Sequence, residues 1–233
     1  MKKAVLFDLG NTLAEYYESC AYPELLPLCI GKARALVEGL GLPPVPEDTL
    51  WRTVHEENVE APDHCVRPLE GRLLRIFHLD PPSLSPETVT ALCRAFMAPI
   101  FALGRCYEDT RPTLRDLRAR GVKVAVVSNA PWGCPAGLCH EEAERLGVEP
   151  LVDAVVFCSD VGWRKPSERI FTFTLERLGV EAADSLFVGD HPEWDLAGPR
   201  ALGIEAALLD RNGVRSAPGE TPIRTLRELW GRW

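Results

Sequence analysis

Five short apolar runs, each followed closely by a polar residue, constrain this chain most. They are Ala4 to Phe7, Val122 to Val127, Ala154 to Cys158, Ser185 to Val188 and Glu205 to Leu209. Unbroken apolar runs of this length suit strands covered on both faces, as in a parallel sheet. Between the later runs lie helical patterns at Arg111 to Arg120, Leu138 to Leu146, Pro166 to Leu178 and Trp194 to Leu202. A glycine follows each of them (Gly121, Gly147, Gly179 and Gly203), at the position where helices commonly end in a left-handed residue. Strands alternating with such helices predict a doubly wound, Rossmann-like α/β sheet.

The rhythm breaks between Glu15 and Arg105. Helical patterns run from Leu25 to Leu40, Glu47 to Val59, Leu69 to Leu79 and Pro86 to Leu103, separated by proline-rich joints such as Pro43-Pro44 and Pro81-Pro82. No strand pattern is found there. The expected organisation is a core of residues 1–14 and 106–233, with an all-helical insert of residues 15–105 after the first strand. Arg224 to Trp233 reads as a final helix on the sheet.

A chain of 233 residues can bury a sufficient core without disulfides or metals. Its charge excludes some functions. Asp plus Glu number 34 against 26 Lys plus Arg, giving a net charge of −8. Such a chain is a poor partner for nucleic acid or an anionic membrane. No stretch is apolar enough to span a bilayer, and Asp8 breaks the N-terminal apolar run, which argues against a signal peptide. The expected location is cytoplasmic. The eight cysteines form no CxxC and are expected to be reduced thiols. Cys134, Cys139 and His140, with Cys158 as a possible neighbour, lie close in sequence, but their spacing matches no standard zinc pattern.

Ligands of doubly wound sheets gather at the carboxyl ends of the strands. The residues ending these runs are Asp8, then Ser128 and Asn129, then Asp160 and Lys165, then Asp190 with Glu193 and Asp195. Carboxylates placed together repel unless a cation lies between them, and hard oxygen ligands favour Mg²⁺. A hydroxyl and a lysine can hold a phosphate, and one carboxylate can attack phosphorus.

Four of these segments together resemble the haloacid dehalogenase superfamily. Phe7-Asp8-Leu9-Gly10-Asn11-Thr12-Leu13 resembles its first motif and Val127-Ser128-Asn129 its second. Arg164-Lys165-Pro166 resembles its third, and Val188-Gly189-Asp190 with Glu193 and Asp195 its fourth. The resemblance implies an Mg²⁺-dependent hydrolase acting on a small phosphorylated metabolite. Asp8 is then the nucleophile that forms an aspartyl-phosphate. Ser128, with Asn129, binds the phosphoryl group, and Lys165 screens its charge. Asp8 and Asp190 ligate the metal together with the carbonyl of Gly10, and Asp195 orders the metal's water shell or Lys165. The insert resembles a cap of the C1 type, which selects substrate.

One position departs from the family pattern. Phosphatases of the family carry a second aspartate where this chain has Gly10. That residue supplies proton transfer, a role worth about 10²–10⁴ in rate. The departure keeps other readings open: a metal-independent dehalogenase, a phosphonate-cleaving enzyme, or an impaired phosphate-binding member. The acids of the fourth motif favour phosphate over halide. His191 is a candidate substitute acid. Tyr16, Tyr17, Trp132 and Trp163 are candidate substrate contacts at loop mouths.

Overall fold

The apolar runs pair into one five-stranded parallel sheet. The computed structural model describes residues 2–17, 21–215 and 218–231. Strand β1 (Ala4–Phe7) lies at the centre, between β4 (Lys123–Ser128) and β6 (Ser185–Gly189). Strands β5 (Ala154–Phe157) and β7 (Glu205–Leu208) form the edges, giving the order β5-β4-β1-β6-β7. Every residue of β1 is buried, as its unbroken apolar run predicts for a central parallel strand. Phe7 pairs with both Val126 and Val188, so the polar residues that follow these three strands emerge on the same edge.

Helices α5 (Thr110–Ala119), α6 (Ala136–Arg145), the short α7 (Cys158–Val161) and α8 (Glu168–Leu178) fill the connections. The four glycines after the predicted helices all have positive φ, so they end those segments in the left-handed region.

Four helices lie within the segment from 15 to 105: α1 (Tyr22–Gly39), α2 (Glu47–Glu57), α3 (Leu69–Ile76) and α4 (Pro86–Leu103). Helices α1 and α4 bury their apolar faces, including Cys29, Ile30 and Ala33 on one and Cys93, Phe96 and Met97 on the other. The expectation of a strand-free segment is corrected at its ends. Strands β2 (Ala14–Glu15) and β3 (Arg105–Cys106) pair antiparallel, Ala14 with Cys106 and Glu15 with Arg105. Two-residue strands are too short to leave a periodic signal.

Two other predicted helices change form. The stretch from Trp194 to Leu202 is a π-helical turn, Pro192–Ala197, running into a short helix α9 (Gly198–Ala201). The C-terminal segment forms a 3₁₀ helix at Leu226–Gly231, with residues 232 and 233 outside the described residues. Leu226 and Leu229 are buried, and the Leu226 N–H donates to Asp109 Oδ2 at 2.8 Å.

The described cysteines are free; Cys20 lies outside the described residues. Cys134 and Cys139 are buried, while the His140 ring lies 3.1 Å from Asp160. Among the described residues, no helix is long and apolar enough to cross a membrane.

Candidate active site

Register brings the first polar residues together. Asp8 follows β1 and is 7% exposed. Ser128, the last residue of β4, donates from Oγ to Asp8 Oδ1 at 3.2 Å. Lys165 Nζ donates to Asp8 Oδ1 and to Asp195 Oδ1, each at 2.7 Å. Burial works against the ammonium charge, yet Asp195 and Asp8 outweigh it and hold the lysine pKa above its ordinary value.

Lys165 is itself held in place. The Asn129 side chain accepts from the Lys165 N–H at 2.8 Å and donates to the Lys165 carbonyl at 3.1 Å. Asn129 thus positions the lysine backbone as well as lining the cavity. The π-helical turn delivers Asp195, whose Oδ2 accepts from the His191 N–H at 3.0 Å. Gly189 makes this possible, because a Cβ there would lie 2.3 Å from Asp195 Oδ2.

Asp190 completes an acidic cluster. One carboxylate oxygen from each of Asp8, Asp190 and Asp195 lies within 4.8 Å of the others. Burial raises the Asp190 pKa to about 7, helped by Asp8 and Asp195 and opposed by Arg215 and Lys165. Arg215 Nη2 stands 3.1 Å from Asp190 Oδ2. The charge of the cluster is therefore incompletely balanced by protein cations, and its donors are all hard oxygens. That set fits a small divalent cation such as Mg²⁺.

A cavity of about 470 Å³ opens over these groups. The sheet supplies Asp8, Ser128 and Lys165, while Tyr22, Asn58, Glu60 and Phe101 come from the inserted segment. That segment sits directly on the loop carrying Lys165. The Val66 N–H donates to the Gly162 carbonyl at 2.9 Å, and the Arg164 N–H donates to the His64 carbonyl at 2.8 Å. Trp132 Nε1 donates to the Tyr22 hydroxyl.

The structure separates the remaining candidates. Tyr16, Tyr17, Trp132 and His191 line the cavity. Trp163 instead packs under Arg169, 3.7 Å from ring centroid to guanidinium carbon. Asp160 turns away to accept from the Phe157 N–H at 2.8 Å, and Glu193 is exposed.

Arg215, Glu60 and Glu142 were not singled out from the sequence. Arg215 follows the fifth strand, so the strand-end rule that picked out Asp8 and Asp190 would have reached its loop. Glu142 is 4% exposed and occupies the buried face of α6, where an acid needs a partner. It receives hydrogen bonds from Arg145 at 2.6 and 2.7 Å and from the Tyr16 hydroxyl at 2.9 Å.

A family model described as haloacid dehalogenase-like hydrolase matches residues 2–203. A glyceraldehyde 3-phosphate phosphatase from Methanopyrus kandleri is 31% identical over 214 residues, covering 91% of this chain and 85% of that protein. The crystal structure of a HAD phosphatase from Thermococcus onnurineus superposes with a TM-score of 0.68 at 27% identity, covering 99% of this chain and 97% of that one. A 2-haloacid dehalogenase from Pseudomonas syringae shares the fold, with a TM-score of 0.69 at 23% identity and full coverage of both chains.

Proposed function

This chain belongs to the haloacid dehalogenase-like hydrolase family, and from that premise we propose that it is an Mg²⁺-dependent phosphatase of small phosphorylated metabolites. The observation that carries the reading is Asp8 held at 2.7 Å by Lys165 beside Ser128, with Asp190 completing an acidic cluster. The phosphatase names of the Methanopyrus and Thermococcus relatives support the same class of reaction.

Asp8 attacks phosphorus and carries the phosphoryl group as an aspartyl-phosphate. Ser128 donates to the phosphoryl oxygens, and Lys165 offsets their charge while Asp195 and the Asn129 amide keep it in line. Asp8 and Asp190 would hold the Mg²⁺, with the Gly10 carbonyl, and Asp195 would steady its water shell. A bound Mg²⁺ supplies charge neutralisation at the phosphoryl oxygens. Water then releases phosphate from Asp8. The inserted helices, residues 15–105, act as the cap that closes the cavity and selects substrate, over a core of residues 1–14 and 106–233.

The direct test is phosphate release from an aryl phosphate by purified protein. Turnover should require Mg²⁺ and stop with EDTA; undiminished turnover after exhaustive chelation overturns the metal assignment. Gly10 favours one second reading, a dehalogenase, because carbon–halogen cleavage needs no leaving-group proton. Chloride release from a 2-chloro acid without metal, and no phosphate release with it, would select that reading.

A further inference from the structure

Gly10 is not demanded by the backbone. Its φ lies outside the left-handed region, which the next residue occupies instead (Asn11, φ 55°). A Cβ built on Gly10 would meet nothing nearer than Tyr16 Cδ2 at 3.9 Å. A side chain can start there, yet the position carries none.

The other acids on the cavity wall do not fill the gap. Arg72 and Arg164 engage Glu60 at 2.8 and 3.4 Å. Glu142 is held by Arg145 and Tyr16. His191 Nδ1 accepts from the Trp194 N–H at 3.3 Å, so that nitrogen has no proton to give. The Tyr16 hydroxyl donates to Glu142, and the Tyr22 hydroxyl is engaged by Trp132 Nε1. Asp8, Asp190 and Asp195 share the cation cluster. With no carboxyl at Gly10 and the other wall carboxylates paired, the geometry points to a leaving oxygen that departs as an anion.

The same cavity is lined with rings. Tyr17 and Tyr22 stack with centroids 6.0 Å apart, and His191 and Trp194 stack at 3.8 Å with planes 12° apart. Both pairs line the cavity, whose volume of about 470 Å³ suits a small organic ligand. Stacked rings of this kind bind planar aromatic groups by offset or edge contacts.

Resting on the phosphatase reading above, we propose that the substrates are aryl phosphates, in which the phosphate is esterified to a hydroxyl on an aromatic ring. An Asp8 oxygen bonds to phosphorus as the bond from phosphorus to the aryl oxygen breaks. The aryl oxygen keeps the electron pair, leaves as a phenolate and takes its proton from solvent. Water then adds to phosphorus, Asp8 departs as carboxylate, and the proton of the water leaves with the phosphate or to solvent.

Four esters separate the two requirements. Phenyl phosphate has a ring and an acidic leaving group, benzyl phosphate only the ring, acetyl phosphate only the acidic leaving group, and ethyl phosphate neither. With Mg²⁺, phenyl phosphate should have the highest kcat/KM. Benzyl phosphate should keep a similar KM with kcat about 10²-fold lower or less, since no acid assists it. Acetyl phosphate should keep kcat with a KM at least about tenfold higher, for want of ring stacking. Equal kcat/KM for ethyl and phenyl phosphate, or equal KM with and without the ring, overturns the proposal while leaving the phosphatase intact. No hydrolysis of any ester overturns both. A binding measurement is independent of turnover: phenylphosphonate should bind the Mg²⁺-loaded protein more tightly than methylphosphonate, and equal affinities count against the proposal. Gly10→Asp should raise the turnover of benzyl and ethyl phosphate relative to phenyl phosphate by about 10²-fold or more. A folded Gly10→Asp protein with unchanged preference overturns the leaving-group argument; if the variant does not fold, the four esters and the two phosphonates decide.

Discussion

The sheet and the inserted helices are held together differently. The sheet is an apolar construction whose polar groups are displaced to one edge: Val5, Leu6, Val126 and Phe187 are fully buried, and Asp8, Ser128 and Asp190 follow at the rim. The insert combines the apolar seam of α1 and α4 with a buried cation. Arg72 is 1% exposed. It donates to the Glu57 carbonyl at 2.6 Å, the Arg67 carbonyl at 3.0 Å and Glu60 Oε2 at 2.8 Å. Glu57 in turn receives Arg67 at 2.5 Å and Arg75 at 2.5 and 2.9 Å, and Arg75 holds its carboxyl below the usual range. In the sheet, charge is concentrated where it can react. In the insert, charge is tied up in fixing shape.

The sharpest way to break this contrast is at Asp8. Asp8→Asn should lower turnover by on the order of 10⁴-fold or more, the scale of losing a nucleophile. Its melting temperature should hold, because Asn relieves repulsion from Asp190 and Asp195 while filling the same space. A near-normal rate would assign the attack to another group.

The matching change in the insert should act on stability. Arg72→Met strands two backbone carbonyls and Glu60, and should cost about 3–5 kcal/mol in denaturant unfolding. A loss below about 1 kcal/mol would mean that the apolar seam alone fixes the insert.

A third measurement tests the rim charge through pH. Asp190 has a raised pKa, so its contribution to stability is fully present below the ordinary 3.8 and lost as pH rises through about 7. Metal-free protein should therefore be less stable at pH 8 than at pH 6, with Mg²⁺ offsetting the difference. Mg²⁺ affinity should rise about tenfold per pH unit below about 7 and level off above it. An affinity flat from pH 6 to 8 would remove Asp190 from the metal site.

The smallest effect is expected at Arg215. Its pair with Asp190 is partly exposed and is worth about 0.2–1 kcal/mol. Arg215→Ala should tighten Mg²⁺ binding about two- to fivefold, followed by titration calorimetry. Weaker binding would show that Arg215 helps the cation rather than competing with it.

Much of the sheet was legible because its signals are local. Each buried strand is a continuous apolar run, and the turn after each predicted helix is written in a glycine. The groups around Asp8 could be grouped because strand ends in a parallel sheet share an edge. What escaped depended on contacts across the chain. Nothing near Asn129 announces that its amide grips the backbone of Lys165. Trp194 to Leu202 reads as ordinary helix, yet its start folds as part of a π-turn, Pro192–Ala197, in which Asp195 packs against Gly189. Glu142 reads as one more polar helix residue until Tyr16, 126 positions away, is placed beside it.

The ribbon of β2 and β3 has a consequence for inheritance. The chain leaves the sheet at Ala14–Glu15 and returns at Arg105–Cys106, with the two crossings hydrogen-bonded side by side. To the sheet, everything between them is equivalent to one hairpin turn. The entropy of closing such a loop grows only with the logarithm of its length. Helices can therefore be added, removed or exchanged between these anchor points with little penalty to the strands that carry Asp8 and Asp190. A lineage built this way can change which molecules reach its chemistry while the chemistry descends unaltered.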